Sequence, residues 1–113
     1  MIGSFGNDTI VGGLGADVIF TGSGNDVVRF LNLSEGGDTI RDFADTFDRL
    51  AVRTTIASSF SSGSGQLNAI QQGADTIVYI ENGIAGFQTG EPILATLINF
   101  PSGNFTAADV TFF

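Results

Sequence analysis

Apolar and polar positions follow a nine-residue period near the start of the chain. Residues 3–11, 12–20 and 21–29 superpose so that a Gly-rich half carrying one Asp is followed by a β-branched half. Short β-branched runs suit a pleated strand, and Gly-rich runs form turns. The repetition predicts a parallel β-roll, in which the chain coils instead of folding back. The repeated columns are Gly6, Gly15 and Gly24, then Asp8, Asp17 and Asp26, then Ile10, Ile19 and Val28.

The turn half of each repeat has the chemistry of a calcium site. Glycine allows the positive φ of a sharp turn, and calcium takes roughly six to eight oxygen ligands, many of them carbonyls. Each nonapeptide makes half a coil, so alternate turns stack on the same side. We therefore expect Asp8 and Asp26 to share one ion. Asp17 should face Asp38, with Glu35 as the weaker candidate in the same loop.

Turn residues complete the expected ligand set. Gly and Asp also occur as simple turn formers in small β domains, but three copies in phase are hard to reach by chance. The residues predicted to hold Ca²⁺ are Gly3, Ser4, Gly6, Asp8, Gly12, Gly13, Gly15, Asp17, Thr21, Gly22, Gly24, Asp26, Glu35, Gly37 and Asp38.

The repeat resembles the G-G-x-G-x-D-x-U-x nonapeptide of RTX proteins, the haemolysin-type calcium-binding family. The resemblance implies a calcium-binding β-roll in a secreted protein. Because the array starts abruptly at residue 3, we expect the chain to be a piece of a longer protein.

The remainder of the chain predicts a β-rich cap. Residues 36–43 and 48–53 are expected to pair across a short turn, and residues 54–73 to form an irregular loop. The fold class is therefore all-β, with repeats at 1–37 and a cap at 38–113 in one structural unit. The eleven Phe residues and one Tyr of the chain are expected to supply the apolar bulk of that cap and its contact with the roll. Further strands are predicted at 74–81, 93–100 and 109–113, with a hairpin turn at 82–83.

The cap resembles the serralysin-type C-terminal domain. Asp38-Thr-Ile-Arg-Asp-Phe43 with Asp48-Arg-Leu50 is similar to its D-x-I-x-D-F…D-x-L signature, and residues 60–67 are similar to its F-x-G-x-A-G-Q-L segment. The family's N-G-D-G turn is replaced by residues 82–85, so no metal site is expected there. Residues 109–113 resemble an uncleaved type I secretion signal, which implies export through an ABC transporter of a Gram-negative-type bacterium.

Composition restricts the partners. Twelve acidic residues against four basic ones give a net charge of −8, so nucleic acid and anionic membranes are poor partners. The absence of His and Cys removes the usual ligands of zinc and any disulfide. No apolar stretch approaches the ~20 residues of a membrane helix, and residues 1–3 are not expected to belong to a signal peptide.

The favoured hypothesis is a non-catalytic domain that folds on calcium outside the cell and serves secretion and stabilisation of an upstream passenger. The alternative is a calcium-dependent adhesion or self-association module, although a monomer is expected. An acid/base enzyme built on Asp42, Asp45 and Asp48 is disfavoured, because calcium or turns already account for these carboxylates.

Overall fold

The computed structural model describes residues 6–32, 36–44, 47–60, 65–81 and 91–113. These residues contain strands and two short 3-10 helices, at Ser102–Asn104 and Ala107–Asp109. The described part includes no helix long and apolar enough to cross a membrane. The strands are β1 (Thr9–Val11), β2 (Val18–Ile19), β3 (Val27–Phe30), β4 (Asp38–Ile40), β5 (Arg49–Val52), β6 (Leu67–Gln72), β7 (Asp75–Ile80), β8 (Ile93–Leu97) and β9 (Val110–Phe112).

Alternate strands lie in two different sheets. One sheet has the order β1-β3-β5-β9 and is parallel throughout; the other has the order β2-β4-β8-β7-β6. Thr9 lies opposite Val27, two nonapeptides later, so each full coil of the roll comprises two repeats. The predicted all-β fold with a parallel β-roll is confirmed.

The predicted pairing of residues 36–43 with residues 48–53 is wrong. β4 pairs in parallel with β2, whereas β5 pairs in parallel with β3 in the opposite sheet. The physical reason is that Asp38-Thr-Ile and Asp48-Arg-Leu repeat the Asp-x-apolar pattern of the earlier coils, although at longer spacings, so each begins another half-coil. Each sheet contains strands from the predicted repeat segment, residues 1–37, and from the predicted cap, residues 38–113. The division of the chain at residue 37 stays a prediction.

A second difference concerns the region predicted as an irregular loop. Residues 67–72 form β6, which pairs antiparallel with β7 through the two-residue turn Gly73-Ala74. Gly73 has a φ of 63°, a left-handed conformation that glycine adopts without a Cβ clash. The predicted strands at 74–81, 93–100 and 109–113 are confirmed as β7, β8 and β9. The predicted turn at 82–83 lies outside the described residues.

The core fills the space between the two sheets. Inward positions of successive coils, such as Ile10, Val28 and Leu50, are buried in one cluster with Ile19 and Ile40 of the facing sheet. Phenylalanine rings extend this cluster beyond the repeats, with centroids of neighbouring rings 5.4–6.4 Å apart. The rings are those of Phe43, Phe60, Phe100 and Phe105.

Candidate calcium site

A ladder of aspartates joins the stacked turns. Each ladder carboxylate accepts the backbone N–H of the Asp one coil earlier through its Oδ1 atom. Asp26 accepts from Asp8 at 2.8 Å, and Asp38 accepts from Asp17 at 2.8 Å. The structure therefore brings together both predicted pairs, one on each side of the roll. These hydrogen bonds use the Oδ1 atoms of Asp26 and Asp38.

Two of the remaining oxygens have no hydrogen-bond partner. Oδ2 of Asp17 and Oδ2 of Asp26 are buried and unbonded within the described part of the chain. An unsatisfied buried acceptor costs about 1–3 kcal/mol, and more when it is charged. A cation between the turns would remove this cost, so these orphaned oxygens fit a calcium site.

Gly12 leaves room for an ion beside two carboxylates. A Cβ placed on Gly12 would lie 3.0 Å from Oδ2 of Asp17 and 3.0 Å from Oδ2 of Asp38. The two oxygens thus converge on the position that a side chain of residue 12 would occupy, and carboxylate oxygens that converge suit a calcium ion. Gly12 is not among the glycines with positive φ, so space accounts for this glycine, and backbone conformation does not.

Gly24 shows how closely the turns approach one another. It has a φ of 98°, and a Cβ at this position would overlap the carbonyl oxygen of Gly6 in the coil above. Both its conformation and its contact therefore require glycine. Close stacking places the main chains of successive turns in direct contact.

The rest of the predicted set divides into two groups. Gly3, Ser4 and Glu35 lie outside the described residues. The others bend the turns with left-handed φ values of 81–91°, and their role as ligands stays a prediction. These glycines are Gly6, Gly13, Gly15, Gly22 and Gly37.

Carboxylates in the described part meet in pairs, and no group of three or more His, Cys, Asp or Glu side chains able to hold a metal forms there. Calcium at either pair would consequently need main-chain carbonyls or water as its other ligands, which suits a Gly-rich turn.

Two aspartates outside the predicted set close the third turn. Oδ1 of Asp48 accepts the N–H of Asp26 at 3.0 Å, and its Oδ2 accepts the N–H of Ala44 at 2.8 Å. Asp42 accepts the N–H groups of Thr21, at 2.6 Å, and Gly22, at 3.0 Å. The likeness of Asp48-Arg-Leu50 to Asp26-Val-Val28 is the signal that identifies the third rung of the ladder. Asp42 is the second Asp of the motif Asp38-Thr-Ile-Arg-Asp-Phe43.

Thr21, predicted as a calcium ligand, has a different environment. Its side chain is fully buried, and its hydroxyl lies 3.0 Å from Oδ2 of Asp48 and 3.1 Å from Oδ1 of Asp42. These contacts also account for two of the carboxylates in the acid/base hypothesis, because both are engaged with a turn. Asp45 lies outside the described residues.

Burial raises the pKa of Asp48 above its ordinary value of 3.8, and the nearby charge of Asp26 adds to the rise. Hydrogen bonds from the N–H groups of Ala44 and Asp26 and from the Thr21 hydroxyl oppose it, because they stabilise the ionised form. The third turn thus holds a carboxylate at a desolvation cost that hydrogen bonds partly offset.

Comparison with known proteins adds a match at these turns. Residues 1–29 match the family described as the RTX calcium-binding nonapeptide repeat in four copies. The first 29 residues are RTX repeats. The RTX repeats bind Ca²⁺, and the resemblance of the nonapeptides to this family is confirmed.

Solved structures with the same fold are repeat modules of an enzyme. The AlgE6R3 subunit of the mannuronan C5-epimerase from Azotobacter vinelandii has a TM-score of 0.66 and 22% identity over 97% of this chain, which spans 65% of that subunit. The AlgE6R2 subunit of that epimerase has a TM-score of 0.54 and 19% identity, over 99% of this chain and 91% of its own. At this identity the likeness shows the fold alone. No curated protein sequence matches the chain.

Proposed function

We propose that this chain is a calcium-binding RTX module that folds when it meets calcium outside the cell, and that it supports type I export and stability of an upstream passenger. The observation that carries the proposal is the pair of buried, unbonded carboxylate oxygens of Asp17 and Asp26. Burial of these oxygens is unfavourable until a cation neutralises them.

Calcium can contribute much to the stability of the repeats, because other interactions there do little to offset the entropic cost of folding. β1 and β2 are only three and two residues long, and the chain has no cysteine for a disulfide. Binding free energy at the turns becomes folding free energy. Extracellular modules bind calcium with Kd of roughly 10⁻⁴–10⁻³ M, so the chain stays unfolded in the cytosol and folds outside.

The C-terminal strand suits an export signal that is read before folding. β9 is the last strand of its sheet and pairs with β5, and Val110 is buried against the core. The end of the strand is held by Arg29, whose guanidinium carbon lies 4.6 Å from the centre of the Phe113 ring. A transporter would therefore bind these residues in the unfolded chain. The epimerase modules of similar fold support an enzyme as the passenger.

Folding is tested by far-UV circular dichroism after chelation and during titration with calcium. The expected result is a disordered chain that regains strand signal with calcium and not with equal magnesium, which demands octahedral geometry. An unchanged spectrum after exhaustive chelation would contradict calcium-dependent folding.

Export is tested with a reporter fused before residue 1 in a strain carrying a type I system. Deletion of residues 109–113 should abolish secretion. Asp109→Ala with Val110→Ser should impair it with less effect on folding. Reporter that still reaches the medium after the deletion would place the signal elsewhere.

The alternative function is self-association through the first coils of the roll. Among the described residues of these coils, Val18 and Phe20 are 49% and 39% exposed. Exposed apolar side chains that lie close together favour association. Sedimentation velocity with and without calcium discriminates, because a monomer in both states would exclude self-association.

A further inference from the structure

The second and third repeats build the same arrangement from different residues. Gly12 is the first residue of the second repeat, and Thr21 is the first residue of the third. Strand register places Asp17 level with Asp38, and Asp26 level with Asp48. Gly12 therefore occupies the same position relative to Asp17 and Asp38 as Thr21 occupies relative to Asp26 and Asp48.

The later aspartate of each pair behaves alike. Asp38 and Asp48 both accept the N–H of the Asp above through Oδ1. Both direct Oδ2 towards the first residue of the upper turn. Oδ2 of Asp38 lies 3.0 Å from the Cβ position of Gly12, and Oδ2 of Asp48 lies 3.0 Å from the Thr21 hydroxyl oxygen. Gly12 places no side chain between its two carboxylates, whereas Thr21 places its hydroxyl between Asp42 and Asp48.

We propose that the Thr21 side chain takes the place of a calcium ion, so that the third turn closes without metal. The hydroxyl oxygen has two carboxylate oxygens around it, at 3.0 Å on Asp48 and 3.1 Å on Asp42. Two carboxylates around one buried centre is a cation environment, yet the centre here is neutral. Thr21 and Asp48 are buried, so solvent does not relieve the charge of Asp48, whereas Asp42 is exposed.

In place of an ion, main-chain N–H groups stabilise the negative charge of the two carboxylates. A hydroxyl has one proton and donates to only one of the two carboxylates at a time. The remaining stabilisation comes from four N–H groups. Thr21 and Gly22 donate to Asp42, and Asp26 and Ala44 donate to Asp48. These donors belong to the turn at 21–26 and to the loop at 42–48, so the hydrogen bonds join the two directly.

The inference rests on calcium binding beside Gly12 and makes a reciprocal prediction. Thr21→Gly should open a third site at Asp42 and Asp48, and the folded variant should bind one more calcium ion than wild type. Gly12→Thr should close a site and bind one ion fewer. Neither change needs a new backbone conformation, since Gly12 and Thr21 both lack positive φ. Thr21→Val is the matched control, because it keeps the volume and removes only the hydroxyl, and its stoichiometry should equal that of wild type.

Stoichiometry is measured by equilibrium dialysis at saturating calcium, with circular dichroism on the same samples to show that each variant is folded. An equal number of ions in wild type and Thr21→Gly would overturn the proposal. An extra ion in Thr21→Val would overturn it too, since the side-chain volume would then not exclude calcium. If a glycine variant fails to fold, the stoichiometry of Gly12→Thr still decides, because an unchanged number would show that a threonine does not displace the ion. Wild type without bound calcium would instead refute calcium binding itself.

Discussion

Asp26→Asn separates two effects of the charge on Asp26, the most buried carboxylate of the ladder. One is the cost of burying the charge, and the other is the calcium affinity that we expect it to provide. Asp26 is fully buried, and its Oδ1 accepts the N–H of Asp8 while its Oδ2 has no partner among the described residues. Asparagine keeps the carbonyl acceptor and replaces the charged, unbonded oxygen by a neutral amide. The repulsion between Asp26 and Asp48 also disappears.

The two effects change the free energy of unfolding in opposite directions: burial of the charge lowers it, and calcium binding raises it. Without calcium, loss of an unpaired buried charge should raise the free energy of unfolding by about 1–3 kcal/mol. With free calcium at about one hundred times Kd, one site stabilises the wild type by about 2.7 kcal/mol. If asparagine lowers the calcium affinity about a hundredfold, the same concentration contributes only about 0.4 kcal/mol. The variant should thus be more stable in chelator and gain much less from calcium.

The assay is urea unfolding with and without calcium, followed by circular dichroism and by the fluorescence of Tyr79, the single tyrosine in a chain without tryptophan. Tyr79 is 1% exposed, so its emission reports loss of the core. Asp75→Asn is the matched control, because Asp75 Oδ1 also accepts a main-chain N–H, that of Asn99 at 2.8 Å, outside the repeats. A calcium increment in Asp26→Asn equal to that of wild type would refute the reasoning.

Two further predictions concern the turns. The Asp48 carboxyl should titrate above 3.8 in a carbon-detected NMR experiment, and Thr21→Val should raise its pKa further by removing a donor to the ionised form. Because its folded pKa exceeds its unfolded pKa, the stability that Asp48 contributes is greatest below pH 3.8 and declines as the pH rises through the folded pKa. Gly15→Ala, at φ 84° with open space, should cost about 1–2 kcal/mol in urea unfolding. Gly24→Ala should cost more, because its Cβ also meets Gly6, and equal losses would refute close stacking.

The coils were predictable from sequence because their determinants are local and periodic. Asp at one phase, glycine two residues before it and a β-branched residue after it recur every nine residues, so a parallel stack is the arrangement that keeps all columns aligned. The pairs Asp8 with Asp26 and Asp17 with Asp38 follow from half a coil per repeat. The structure places both pairs accordingly.

The sheet of each later strand was not predictable in the same way. A short turn between residues 43 and 48 is equally compatible with a hairpin and with a half-coil. Only the likeness of Asp48-Arg-Leu50 to the earlier Asp-x-apolar segments distinguishes the two. β6 was missed because its residues, Leu67–Gln72, contain two Gln and one Asn and have little β propensity. Its pairing with β7 and the burial of Leu67 overcome that local preference.

The pairing of the aspartates was predictable, whereas the contacts of Thr21 were not. Thr21 occupies a ligand position of the repeat, so the sequence predicts it as a calcium ligand, and that role stays a prediction. Its actual environment depends on Asp42 and Asp48, which lie 21 and 27 residues away along the chain. A contact of that range cannot be read from a nonapeptide period.

We expect the ladder to neutralise its charge in two ways along the chain. Between the earlier turns, Oδ2 of Asp17 and Oδ2 of Asp26 have no hydrogen-bond partner among the described residues, and a cation would relieve their burial. At the third turn, Asp48 has both oxygens bonded by protein donors. After β5, the next strand in the sheet is β9, which follows the 3-10 helix Ala107–Asp109, and the Asp109 carboxylate accepts the N–H of Thr106 within that segment. We therefore expect dependence on calcium to be confined to the repeats, while the strands that follow are held by hydrogen bonds and by the phenylalanine core.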